Sequence, residues 1–144
     1  MNRLAKFWAL PAAEKKLLCE AVFLLSGSTA SVKTIAFTHI ERFLRACWSG
    51  GSGHIKSANG EREIRLLQRS ISRATEALPW TSSCLSQSIA EFIMLRRRGI
   101  QAVILAGARF SGHSSLDAHA WVETDLPSDK SPENSTYATL IRIG

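Results

Sequence analysis

The sequence predicts an α+β fold in which a helical N-terminal half packs on a small antiparallel sheet. Three observations predict it. Residues 10–48 and 61–99 repeat apolar side chains at helical spacing. Gly and Ser gather in Ser49-Gly-Gly-Ser-Gly53 and through to Asn59-Gly60, which reads as a loop between two helical stretches. Beyond Gly99 the apolar pattern shortens to runs at 102–106, 117–123 and 137–143, with β-branched and aromatic residues suited to strands. With 144 residues, of which 45% are hydrophobic, the chain can bury one core. It reads as a single domain over 1–144, its helical N-terminal part at 1–58 and its core at 60–144.

Pro11 suits a first helical turn, and Leu17, Leu18, Ala21, Val22, Leu24 and Leu25 supply an apolar surface for a helix over 10–25 that Gly27 ends. A second helix runs from near Ser31 to Trp48, with Val32, Ile35, Ala36, Ile40, Phe43, Leu44 and Cys47 on one side. Cys19 and Cys47 fall among apolar positions and are expected to be buried and unreactive. The following loop lacks the Lys-Ser/Thr pair of a phosphate-binding loop. A third helix, 61–78, sets Ile64, Leu67, Ile71, Ala74 and Leu78 on one face and Arg62, Arg65, Arg69 and Arg73 nearly opposite. That basic stripe is either a solvated surface or a docking strip for carboxylates or phosphates. Ala102–Ala106 suits a central strand. Pro127 and Pro132 place a loop or irregular hairpin between the last two strands.

The net charge of +6 is uneven, because residues 1–73 carry twelve basic and five acidic groups while residues 74–144 carry six and seven. An acidic partner for the helical half would exploit this. The stripe has no interleaved aromatics, so nucleic acid is not expected. Charges interrupt every long apolar run, so no membrane span is expected. Three cysteines without paired spacing or a preceding signal segment point to a reducing cytoplasm. Asn134-Ser-Thr136 fits a glycosylation acceptor but has no secretory context. No cofactor is called for, and His113, His119 and the cysteines lack zinc-ligand spacing.

The chemistry points to Trp80–Gly99. Thr81, Ser82 and Ser83 offer N-cap oxygens, Cys84 falls in the first turn of the helix, and Leu85, Ile89, Phe92 and Ile93 form its apolar face. Gly99 ends it, with Arg96, Arg97 and Arg98 against its negative pole. Unpaired N–H groups and the positive end of the helix dipole favour a thiolate there. The later strand Asp117-Ala-His-Ala-Trp-Val-Glu123 carries His119. A helix-start cysteine followed by a strand histidine is the pattern of papain-type or transglutaminase-type nucleophilic chemistry. His39, His54 and His113 lack such context.

Leu78-Pro79-Trp80, Cys84-Leu85, Arg98-Gly99, Gly107-Ala-Arg109 and Ala118-His-Ala-Trp-Val-Glu123, in that order, resemble the B-protein family of transglutaminase-like leader peptidases of lasso-peptide biosynthesis. The resemblance covers roughly residues 60–144. Two features depart from it: Gln87 stands where members often carry a basic residue, and the link from Arg109 to His119 is long. The resemblance implies a papain/transglutaminase-like cysteine peptidase core that removes the leader from a ribosomally made precursor through a thioester. The freed core amine is then joined to a side-chain carboxyl by a separate ATP-dependent lasso cyclase. It also implies that the leader is recognised by a separate PqqD-like protein. In this reading Cys84 is the nucleophile, with its own N–H as an oxyanion donor, and His119 is the base; the Trp80 region is a candidate for a second donor.

The residues leave the partner of His119 open among Asp125, Asp129, Glu133 and Asn134. Counting back from Tyr137-Ala-Thr-Leu140, which resembles the family's closing strand, puts the family's aspartate on Asp129. A hairpin turning at Leu126-Pro127 would instead set Asn134 opposite His119. Asp125 lies six residues along the strand, roughly 20 Å away if it stays extended. The competing class is a basic helical binding module, for RNA or an acidic protein, in which Cys84 and His119 only pack.

Overall fold

The computed structural model describes residues 8–48, 58–111, 115–126 and 136–144. Within them, helices α1 (Ala12–Thr34), α2 (Phe37–Trp48), α3 (Ala58–Ala77) and α4 (Cys84–Arg96) precede strands β1 (Ala102–Ser111), β2 (Ser115–Thr124) and β3 (Ala138–Ile143). The fold is α+β, with the three strands in one antiparallel sheet of order β2-β1-β3.

Helix α1 does not stop at Gly27. It runs on to Thr34, and the break falls at Ile35, whose backbone is extended (φ −117°, ψ 136°). The second helix therefore starts at Phe37 rather than near Ser31. Gly in a helix costs about 1 kcal/mol relative to Ala. Burial of Ala21, Leu25, Ser28 and Thr29 on both sides of Gly27 favours continuing the helix, as does packing of α1 against α3 and α4. Cys19 and Cys47 are exposed, against the expectation from their apolar neighbours. The neighbouring elements cover only a narrow strip of each helix. On α2 that strip is Ile40 and Leu44, which leaves even Phe43 60% exposed.

Helix α3 buries the predicted stripe, Ile64, Leu67, Ile71 and Ala74. Helix α4 is buried around most of its circumference. Ile89, Ala90, Phe92, Met94 and Leu95 are joined in the interior by Ser86, Ser88 and Glu91. It is packed by α1, α3, β1 and β2. Glu91 accepts a hydrogen bond from Gln68 Nε2 of α3 at 2.8 Å, which offsets part of the cost of burying a carboxylate. The Phe92 ring meets Trp48 of α2 edge-on at 5.9 Å.

The far end of α4 closes as the sequence suggests: Gly99 takes φ 74°, and Ile100 N–H reaches back to Leu95 O at 3.1 Å. Arg98 donates to Met94 O (2.8 Å) and pairs with Glu20 of α1 (2.6 Å) and Glu63 of α3 (3.5 Å). Arg96 bonds Trp48 O and Gln101.

In the sheet, Ala102, Ile104 and Val122 join the helical core, whereas Gly107 and His119 pair on the opposite face. β1 is central, as expected, and β2 and β3 both pair with it and not with each other. The loop or irregular hairpin expected between the last two strands is therefore not one that pairs β2 with β3; its residues 127–135 lie outside the described residues. The chain slips register against β3 between Ala106 and Gly107. At Gly107 a Cβ would lie 2.6 Å from Ala138 O and 3.1 Å from the Trp121 ring. Only glycine allows β3 and Trp121 to approach this closely. Gly107→Ala is therefore expected to cost about 1–3 kcal/mol through overpacking, read as a lowered midpoint in denaturant unfolding with an unchanged slope.

Candidate functional site

The loop entering α4 is built around its N-terminus. Ser83 is the N-cap, its Oγ accepting from Ser86 N–H at 3.2 Å. Ser86 Oγ in turn donates to Ser83 O at 2.9 Å. Gln87, the departure from the family pattern, folds back so that its side-chain amide donates to Ser82 O at 3.3 Å. Gln87 thus braces the turn before Cys84. Cys84 is the first residue of the helix and half-buried. Its N–H lies among the first-turn groups that the helix itself does not satisfy. Trp80, just ahead of this turn, is 42% exposed.

His119 stands mid-way along β2, paired with Gly107 of β1. Strand alternation puts Asp117 and Trp121 on its face, and Arg109 lies across from Asp117. Tyr137, immediately before β3, closes over this face. The His119 ring is 5.2 Å from Tyr137 and 6.0 Å from Trp121, nearly parallel to the latter at 15°, and the Tyr137 and Trp121 rings are themselves 6.0 Å apart. Tyr137 Oη donates to Asp117 Oδ2 at 2.8 Å, and Arg109 Nε donates to the same oxygen at 3.1 Å. The Arg109 guanidinium also lies 4.6 Å from the Tyr137 ring centre, a cation–π contact.

These contacts set the electrostatics. The Tyr137 hydrogen bond, then Arg109 and His119, hold the Asp117 carboxyl below its ordinary value despite partial desolvation. The same hydrogen bond raises the Tyr137 phenol, and the Cys84 thiolate adds to the rise. Among the described residues, the ring contacts of His119 are Trp121 and Tyr137, and no hydrogen bond joins it to Cys84.

Of the other residues singled out from sequence, Asp129, Glu133 and Asn134 lie outside the described residues, as do His54, His113, Pro127, Pro132 and the loop residues 49–57. Asp125 follows the end of β2, at the far end of the strand from Asp117. Arg62, Arg65, Arg69 and Arg73 lie on α3. The sequence reading gave no role to Asp117, Trp121 or Tyr137. The period-2 pattern around His119 could have flagged the first two, whereas Tyr137 reaches the site only through the sheet order. Among the described residues no three His, Cys, Asp or Glu side chains come together as a metal site. No described helix is long and apolar enough to cross a membrane.

Tyr137 is the chain's single tyrosine, so phenolate absorbance reads it alone. Its contribution to stability is present below pH 10.0 and is lost as pH rises through its higher folded value. That of Asp117 is present above pH 3.8 and is lost as pH falls through its lower folded value. In a spectrophotometric titration Tyr137 should ionise above pH 10.0, and Asp117→Asn should bring that midpoint down.

Residues 36–142 match the family described as Transglutaminase-like superfamily. No curated protein and no solved structure matches the chain. The matched span starts one residue ahead of α2 and ends within β3, and its fold is of the cysteine-peptidase type. Because that span covers well over half of the chain and takes in both Cys84 and His119, the protein belongs to the transglutaminase-like superfamily.

Proposed function

We propose that the protein is a cysteine peptidase that removes the leader from a ribosomally made lasso-peptide precursor in the cytoplasm. What supports the reading is the family match over residues 36–142, which takes in Cys84 at the start of a buried helix and His119 on β2, a strand packed against that helix.

The Cys84 thiolate attacks the carbonyl carbon of the last leader residue, and the carbonyl electron pair moves onto oxygen, where the Cys84 N–H donates to it. As the tetrahedral species collapses, the C–N bond breaks and the His119 imidazolium gives its proton to the leaving amine, the N-terminus of the core peptide. The leader is then a thioester on Cys84. Water attacks that thioester while His119 takes its proton, and the C–S bond breaks to return the thiolate and release the leader acid. Asp129 is the proposed partner of the His119 ring nitrogen that faces away from Cys84, since an anion supports the imidazolium better than the Asn134 amide. The freed amine suits a separate ATP-dependent cyclase, and a separate PqqD-like protein presents the leader.

The same reading uses the basic face of α3. Arg65, Gln68, Arg69, Ser72 and Arg73 line a shallow cavity of about 260 Å³. Arg65 and Arg73 share their charge with Glu61 (3.7 Å) and Glu14 (3.1 Å), both surface pairs. Such pairs contribute little and leave the cations open to a competing carboxylate. This cavity also favours the second reading, a basic module that binds an acidic partner without catalysis. Iodoacetamide separates the two, because a nucleophilic Cys84 alkylates faster at neutral pH than the exposed Cys19 and Cys47, and a packing cysteine does not.

With precursor and leader-binding partner supplied and products read by mass spectrometry, Cys84→Ala and His119→Ala should each abolish cleavage with the fold intact. Asp129→Asn should lower kcat by at least about a hundredfold; a near-normal rate there with a severe loss in Asn134→Ala would transfer the role to Asn134. Reversing Arg62 and Arg69 to Glu should weaken partner binding and flatten its salt dependence in titration calorimetry.

A further inference from the structure

Between α1, α2 and the middle of α4 the surface is cut by an apolar groove of about 410 Å³, whose walls include Phe23, Gly27 and Ser31 of α1, Phe43 of α2 and Ile93 of α4. No lysine, arginine or carboxylate lines it. Two of its wall residues are large apolar groups turned to solvent, Phe23 being 77% and Phe43 60% exposed. Gly27 leaves a gap in the α1 wall, because a Cβ placed there would meet nothing within 4 Å. Its φ is not in the left-handed region either. At Gly107 a strand and a ring crowd out any side chain, but nothing in the chain's own packing asks for glycine at 27. Glycine inside a helix costs about 1 kcal/mol relative to alanine. The gap is room for a group from outside the chain.

We propose that this groove docks a second copy of the chain, α1 against α1. The surface complements itself. Phe23 and Gly27 stand one turn apart on the same ridge of a 23-residue helix, a projecting ring beside an empty space. When two such helices cross antiparallel about a two-fold axis level with residue 25, position 23 of each copy lies against position 27 of the other. Phe23 of each copy then fills the space over Gly27 of the other, the self-complementary pattern of a two-fold interface. The missing Cβ lets the two backbones approach closely at that point. Ridges of residues four apart are also the ones that interdigitate in the commonest class of helix crossing. An acidic partner, which suits the arginine face of α3, finds no cation to pair with in this groove. The groove meets α4 at Ile89 and Ile93, more than a turn along from Cys84, so the dimer and the peptidase reading stand or fall separately.

The test is sedimentation equilibrium of the whole chain from low to high micromolar concentration, where a monomer–dimer equilibrium is expected. Phe23→Ser should weaken it at least about tenfold, the loss of one aromatic anchor from each copy. Gly27→Leu should weaken it as much by filling the space. At a concentration where both proteins are monomeric, that variant should melt no lower than the wild type, because leucine is the better helix former and its side chain has room. Phe110→Ser, which removes a ring 83% exposed on β1 and outside the groove, should leave association unchanged. Added salt should strengthen the dimer, since each copy carries a net charge of +6 and the groove itself is uncharged. A chain that stays monomeric throughout, or a dimer indifferent to Phe23→Ser and Gly27→Leu, overturns the proposal. So does a dimer that Phe110→Ser weakens equally or that salt weakens. Phe23 is exposed enough for its replacement to leave the fold intact, so Phe23→Ser decides even if Gly27→Leu does not fold.

Discussion

Everything in this molecule depends on a helix that is solvent-shielded on nearly every side. Helix α4 has no wet face of its own along most of its length; α1 and α3 cover one side and β1 and β2 another. Burial of Phe92, Met94 and Leu95 contributes about 1.5–3 kcal/mol each. That packing fixes the helix axis and therefore the point where its first turn emerges with Cys84. A nucleophile on a mobile loop would have to be ordered anew in each encounter, whereas one on a packed helix is already placed.

The two ends of α4 are treated differently, and the difference suits chemistry at one of them. At the C-terminal end the helix carbonyls and the Arg98 charge are both satisfied, through Met94 O, Glu20 and Glu63. At the N-terminal end the bonds are short-range hydrogen bonds among Ser82, Ser83, Ser86 and Gln87. They shape the turn, and the Cys84 N–H remains among the groups that the helix itself does not satisfy. The dipole is thus neutralised where it would only cost stability and left effective where it can favour an anion.

The sheet performs the complementary task. Its inner face is aliphatic and belongs to the core, while its outer face gathers an aromatic and ionic cluster about His119. Gly107 makes that gathering possible, because its missing side chain leaves room for the Trp121 ring and lets β3 draw close enough for Tyr137 to reach Asp117. One small residue on β1 thereby couples the sheet's packing to the environment of the histidine.

By itself the sequence determined the helical and strand segments, the central position of β1, the buried stripe of α3, the capped start of α4 with Cys84 in its first turn, and the place of His119 on a strand. All of these rest on local periodicity and capping, which short-range sterics and hydrogen bonds impose. Three matters were decided only by the tertiary structure. Gly27 stays helical because neighbours bury the residues on both sides of it, a gain no local propensity contains. Cys19 and Cys47 are exposed because an apolar face on a helix is buried only as far as another element covers it. The cluster of Asp117, Arg109, Tyr137 and Trp121 forms because β3 pairs with β1 across from β2, bringing residues about twenty apart in the chain to within hydrogen-bond reach. Strand order is a long-range choice among backbones that are locally alike, so only the folded chain could make it.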